Sequence, residues 1–201
     1  MNRRDYLSIM NELSASEGVF TTAQAMRLGI PRNVLAKARE AGKLVRIAHG
    51  AYRMAGTPAS QLDELTAAWK LTDPAKMTHE RVPVDAWDGI AVAGNTAASI
   101  LGIGDFYLSP YRILAPRRIN SRNVETRFGV RDISRNEVSF ASGIPVTSIE
   151  RTLVDPSLVE DALSDAREKG LDEERLIRLA ADAGASAQAK RKMARIFGEE
   201  A

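Results

Sequence analysis

The 201-residue sequence predicts an α+β fold in two parts. Three observations carry that expectation. Between Thr21 and Met54, two short amphipathic segments are separated by Gly29 and followed by two alternating runs about a tight-turn signal. Between residues 106 and 147, apolar and polar residues alternate over short stretches, the two-residue period of half-buried strands. From Thr147 onward, apolar residues recur at helical spacing. Together these read as a winged helix-turn-helix over residues 1–57, then an α+β domain with a small sheet and a helical C-terminal tail over 58–201.

The head begins with a helix carrying Tyr6, Ile9, Met10 and Leu13 on one face. Thr21 and Gln24 form a capping box that opens the next helix, with Ala23, Met26 and Leu28 as its apolar residues. Gly29 ends it, where a positive φ is needed. Pro31 suits the first position of the following helix, because its missing N–H is not required there. Val34, Leu35, Ala38 and Ala41 share one stripe of that helix, and Gly42 closes it. Leu44 to Ile47 and Ala51 to Met54 alternate as strands, with Ala48-His49-Gly50 as the turn.

The outward residues of this head have the chemistry of a DNA reader. Arg32 and Asn33 sit at the start of the second helix of the motif, where base edges are usually met. Arg suits guanine and Asn suits adenine through paired hydrogen bonds. Ala36 is small enough to let the backbone approach a groove. Lys37 and Arg39 flank that face. Lys43, Arg46, His49 and Arg53 decorate the hairpin, where they are expected to reach phosphates.

Charge supports the division. Residues 1–57 hold nine Lys/Arg against four Asp/Glu, a net of +5, and residues 58–111 carry −4. Residues 112–135 return to +5, and 136–201 carry −4. A basic head on a mildly acidic body fits a nucleic-acid reader joined to a domain with another task.

In the body, Gly56-Thr57-Pro58 is the expected boundary. Gln61 to Leu71 reads as a helix with Leu62, Leu65, Ala68, Trp69 and Leu71 inward. Asn95 is a cap for Thr96 to Leu101, and Gly102 stops that helix. Val124, Thr126, Phe128 and Val130 alternate with polar residues as a strand, and Val138–Phe140 and Ile144–Val146 are further strands. Thr147-Ser148-Ile149-Glu150 is a second capping box. An amphipathic helix carrying Leu158, Val159, Ala162, Leu163 and Ala166 then runs to Gly170. Asp172 caps the next, with Leu176, Ile177, Ala180 and Ala183 inward, and Ala189, Met193, Ile196 and Phe197 form the stripe of a last one. The basic stretch with Arg117, Arg118, Arg122, Arg127 and Arg131 reads equally as a second nucleic-acid surface and as a solvated strand face.

Several classes find no support. The chain has no Cys, so disulfides and thiolate metal sites are excluded. No apolar run reaches the length of a membrane span. No signal-peptide core is expected at the N-terminus, since Asp5, Asn11 and Glu12 interrupt it, so a cytoplasmic location follows. The absence of a heptad run favours a monomer in solution. His79, Glu80, Asp85 and Asp88 fit no recognised metal-ligand spacing. Asp105 with Glu125-Thr126-Arg127 matches the Asp…Glu-x-Lys pattern of nucleases poorly, because Arg replaces Lys. No metal or cofactor is expected, and the chain is not expected to be an enzyme.

Two segments together resemble a known family. The run FTTAQAMRLGIPRNVLAKAREAGKLVRIAHGAYR (residues 20–53) resembles the N-terminal domain of AbiEi-type antitoxins of abortive-infection, type IV toxin–antitoxin systems. The segment GIPVTSIERTLVD (residues 143–155) resembles the strand-then-helix motif of their second domain. The resemblance implies that Thr21 to Gly29, Pro31 to Ala41 and Lys43 to Arg53 are first helix, recognition helix and wing. It implies autorepression through operator repeats near the promoter, and a partner gene encoding a nucleotidyltransferase-like toxin, countered directly or indirectly. Glu150, Arg151, Thr152 and Asp155 match the second motif. From their spacing they read as structural, with Arg151 and Asp155 placed for an i, i+4 ion pair, and a role in neutralising the toxin is the sharper alternative. Two other readings stand beside the antitoxin: a winged-helix regulator with no toxin, and a nuclease guided by the winged helix.

Overall fold

The computed structural model describes residues 5–121, 123–155, 158–181 and 187–197. The chain divides into two compact units between Asp88 and Gly89.

The first unit opens with α1 (Tyr6–Glu17), whose first-turn amides of Leu7 and Ser8 donate to the Asp5 carboxylate. After Gly18 come β1 (Phe20–Thr21), α2 (Thr22–Arg27) and α3 (Arg32–Glu40), then β2 (Leu44–Ala48) and β3 (Ala51–Met54). The strands form an antiparallel sheet in the order β1-β3-β2. The Thr21–Gln24 capping box is present in both directions. Gly29 and Gly42 take φ of 82° and 70°, which lets each helix end in a turn closed to L side chains. Pro31 is the cap residue of α3 and not its first helical residue.

Met10, Leu13, Phe20, Ala25, Ile30, Leu35, Ala38, Leu44 and Met54 make one core cluster with Met77. A fully buried Phe, Ile or Leu is worth about 1.5–3 kcal/mol, against about 1 kcal/mol for a cap. The core therefore holds this unit together, and the caps set where its helices begin. Met26 and Leu28, expected in the apolar set of α2, are exposed, and Ala25 and Ile30 take the inward places.

This unit does not stop at Thr57, where the sequence places a boundary. Helix α4 (Asp63–Lys70) packs on β1 and β2, and Val19, Ala51 and Ala67 join Ile47, Ala48 and Leu71 in a second cluster. Polar ties complete the attachment. Gln24 Nε2 donates to Lys76 O at 2.8 Å, and Arg27 donates to Ala75 O at 2.6 Å. Arg81, wholly buried, lies 3.9 Å over the Trp69 ring and pairs with Asp88 at 2.6 Å. Gly56-Thr57-Pro58 is thus a turn within the unit.

The second unit is built on a five-stranded mixed sheet in the order β6-β5-β4-β8-β7. Its strands are β4 (Ala91–Val92), β5 (Tyr111–Ala115), β6 (Thr126–Val130), β7 (Val138–Ala141) and β8 (Ile144–Thr147). The β4–β8 and β5–β6 pairs are parallel, and the other two antiparallel. Helix α5 (Gly94–Leu101) follows β4, and α6 (Ile149–Leu153), α7 (Val159–Glu168), α8 (Glu173–Ala181) and α9 (Ala187–Phe197) follow β8. Leu153, Val154, Leu158, Ala162, Ala166, Leu176 and Ala180 pack with Ala98 and Ile103 as its helical core, and Ile196 and Phe197 of α9 lie against it.

Three local expectations shift here. Asn95 is inside the first turn of α5, with Ala93 as cap, and its amide donates to Tyr107 O. Ser148, not Thr147, caps α6 through Arg151 N–H, while Thr147 shares a hydrogen bond with Thr152 at 2.7 Å. Val124, ahead of the edge strand β6, and Val130, its last residue, are exposed and not inward as the alternation suggests. Ala183 and the side chains of Ala189 and Met193 lie outside the described residues.

Candidate nucleic-acid interface

Helix α3 buries Leu35 and Ala38, with Val34 half-buried, and this fixes which side faces out. Arg32, Asn33, Ala36, Lys37 and Arg39 are all exposed on it. No acidic residue occupies its first turn, and its cap residue offers no side-chain acceptor. Its N-terminal amides and the Arg32 guanidinium thus present one positive end, the arrangement that favours a phosphate.

The hairpin continues the basic surface. Lys43 is exposed ahead of β2, and Arg46 and His49 are exposed on β2 and in the turn. Arg46 Nη2 lies 2.7 Å from His49 Nδ1, and Arg46 Nε donates to Ala48 O at 3.3 Å. These contacts hold the guanidinium along the hairpin tip while leaving donors for solvent or a ligand. Eight of the nine sequence-predicted residues therefore lie on the surface of one small unit.

Arg53 is the exception. It is only 7% exposed. Its Nε donates to Asp63 Oδ2 at 2.9 Å, and its Nη1 donates to Met54 O and Thr57 O. The expectation that it reaches phosphate from the wing is corrected by α4, which brings Asp63 over the residue and turns a wing cation into an internal strut.

A polar core that local sequence does not announce braces this unit. Glu17 and Lys70, each with 3% side-chain exposure, form an ion pair. Glu17 also accepts from Thr78 Oγ1 at 2.6 Å and from Thr78 N at 3.2 Å, and Lys70 donates to Thr78 Oγ1 at 3.1 Å. Burial, the largest influence on Glu17, opposes its charge, but Lys70 and Thr78 together outweigh it and hold the carboxyl below its ordinary range. The available signal is positional: Glu17 stands four residues beyond Leu13, continuing the buried stripe of α1.

Two of the three acidic residues weighed for metal binding, Glu80 and Asp88, are engaged elsewhere. Glu80 receives both Arg27 Nη atoms at 2.6 and 2.8 Å, and that guanidinium, with the Met77 amide, draws its carboxyl down to about 2. Asp88 is held by Arg81. Glu125, weighed for a nuclease, accepts the Ser109 hydroxyl at 2.6 Å. Among the described residues, no group of three or more His, Asp or Glu is placed to hold a metal ion. No helix among them is long and apolar enough to cross a membrane.

In the second unit Arg117, Arg118 and Arg127 are exposed and Arg131 is half-buried, while Arg122 lies outside the described residues. Glu150, Arg151 and Thr152 are buried. Glu150 accepts from Ser148 Oγ at 2.8 Å and lies 3.6 Å from Arg175 on α8, so it fastens α6 to α8. Arg151 reaches Glu137 at 3.3 Å. Asp155 is half-buried at the end of this motif.

Residues 8–55 match the model of a family described as "Transcriptional regulator, AbiEi antitoxin". That stretch runs from α1 to the end of the hairpin. The whole fold is similar to the crystal structure of the RV2827C protein from Mycobacterium tuberculosis, with a TM-score of 0.59 and 18% identity, over 96% of this chain and 76% of that one. No curated protein matches the chain at a significant level.

Proposed function

We propose that this chain is an antitoxin that also represses its own operon, with the first unit as its DNA-reading part. The observation that supports this most is the exposed basic surface of α3 and the hairpin, which falls within the stretch matching the antitoxin and regulator family. Arg32 and Asn33, at the start of α3, meet base edges in the major groove. Lys37, Arg39, Lys43, Arg46 and His49 contact phosphates and set orientation. Ala36 keeps the helix close to the groove floor. The DNA is the repeated sequence near the promoter of the same operon. The second unit takes part in countering a nucleotidyltransferase-like toxin encoded beside it.

Two measurements test this. Arg32→Ala is expected to cost about 1–3 kcal/mol on the preferred operator and to relax the preference at one base position. Fluorescence anisotropy with operator and scrambled duplexes reads both. Unchanged affinity and unchanged preference would remove α3 from base reading. Co-expression of the chain with the adjacent open reading frame then tests the toxin. Growth arrest by the neighbour, relieved by this chain, is expected. A harmless neighbour would leave a DNA-binding regulator without a toxin.

A further inference from the structure

The second unit holds a cleft that DNA docking by the first unit does not use. Its volume is about 260 Å³, and its lining includes Gly94, Arg112, Arg131, Thr147, Arg151 and Asp155. The three arginines come from three places: β5, the residue after β6, and α6. Asp155 is the sole carboxylate on the lining. The cleft lies where the parallel neighbours β4 and β8 end and lead into α5 and α6. Crevices at the carboxyl ends of parallel strands are where open sheets usually take ligands.

Two features bear on Arg112, and the first places a further cation, Arg127, beside it just outside the lining. Arg112 and Arg127 are register partners on the parallel strands β5 and β6, and both are exposed. Like charges side by side on a sheet face are unfavourable, and among the described residues neither has an ion pair. Gly94, at the start of α5, is fitted to Arg112. It takes φ of 60°, and a Cβ there would lie 2.7 Å from Arg112 Cδ and 3.3 Å from Nε. Any larger residue would push the guanidinium stem off the mouth of the helix. The cap residue Ala93 supplies no side-chain acceptor to that helix end. Arg151, by contrast, is anchored by Glu137, so its position is fixed before any ligand arrives.

We propose that this cleft binds the phosphate group of a small phosphate monoester, of about the size of a sugar phosphate. Forked guanidinium donors match the geometry of phosphate oxygens. Low-dielectric walls concentrate the field of clustered charges on an anion. The volume falls just under the range of about 300–1,000 Å³ typical of drug-sized ligands, which suits a sugar phosphate better than a dinucleotide.

Isothermal titration of the full chain with ribose 5-phosphate, inorganic phosphate and ribose tests this. Ribose 5-phosphate is expected to bind with a dissociation constant below about 1 mM, and ribose not at all. Phosphate binding as tightly as the sugar phosphate would identify the free ion as the ligand and still support an oxyanion site. Arg112→Gln is expected to weaken binding about tenfold or more, the loss of a charge-assisted bond. Arg117→Gln, outside the lining, should leave it unchanged. Arg112→Lys keeps the charge but loses the fork, and its intermediate affinity checks the result should the Gln variant fold poorly. Absent binding of both phosphates, or binding that neither Arg112 variant weakens, overturns the proposal. Displacement of the sugar phosphate by a short non-operator duplex, lost with Arg112→Gln, would reassign the cleft to the DNA backbone and overturn it too.

Discussion

Lys70→Met is expected to destabilise the first unit by about 3–5 kcal/mol, the usual cost of removing one partner from a buried ion pair. The ammonium leaves behind a Glu17 carboxylate with 3% side-chain exposure, held only by the polar atoms of Thr78 and Gln24. Met fills most of the same volume, so lost packing contributes little. The pH dependence distinguishes this from an ordinary core defect. In the unsubstituted protein the Glu17 carboxyl is held below its ordinary range. The stability it contributes is present in full above about pH 5 and fades as pH falls toward the lower folded-state value. In the variant, burial is no longer countered by Lys70, so the same carboxyl is pushed up and the folded state prefers it protonated. The gap between the two proteins should narrow as pH falls from 7 to 4. Urea midpoints at the two pH values read it. The double variant Glu17→Gln with Lys70→Met should recover much of the loss, since neither partner is then left charged. A loss under about 1 kcal/mol for the single variant would show that the pair is not what braces the unit.

How much of this could be read from the sequence depends on how local each cause is. The Thr21–Gln24 box, the turns at Gly29 and Gly42, and the inward places of Leu35 and Ala38 are set within a few residues, and each is present, although Ala41, expected on the same stripe, is exposed at the end of α3. So are the hairpin, the strands on either side of residue 142, and the Asp172 cap, whose carboxylate accepts from Arg175 N. Strands β1 and β4 span two residues each, too short for any period to register. The unit boundary was hidden for a different reason. Glu17 meets Lys70, and Gln24 meets Lys76, across more than fifty residues of chain. Such ties leave no mark on local patterning. In the candidate interface, the exposed face of α3 was legible because its buried face was. The hairpin was less so: α1 packs on β3 and Asp63 of α4 pairs with Arg53, and the alternation expected for Ala51 to Met54 becomes burial at three of four positions.

Arg53 turns that difference into a measurement. Arg53→Met is expected to cost about 2–4 kcal/mol of stability, at the lower side of the range for buried pairs because Asp63 keeps 15% of its side-chain exposure. The loss has two parts. Asp63 is left without its counter-charge, and the carbonyls of Met54 and Thr57 lose a charged donor at the point where the hairpin turns toward α4. Binding to DNA should keep its salt dependence when measured on the folded fraction, because no phosphate contact is removed. Arg46→Ala should behave the other way round. Its side chain is exposed and bonded only to the hairpin tip, so stability should stay within about 0.5 kcal/mol. If Arg46 meets a phosphate, the slope of log K against log salt should shrink by about 1. Thermal melts and anisotropy titrations at several salt concentrations separate the pair. An Arg53→Met protein that folds as well as the parent and loses salt dependence as Arg46→Ala does would return Arg53 to the wing surface, and with it the sequence expectation that the fold overturns.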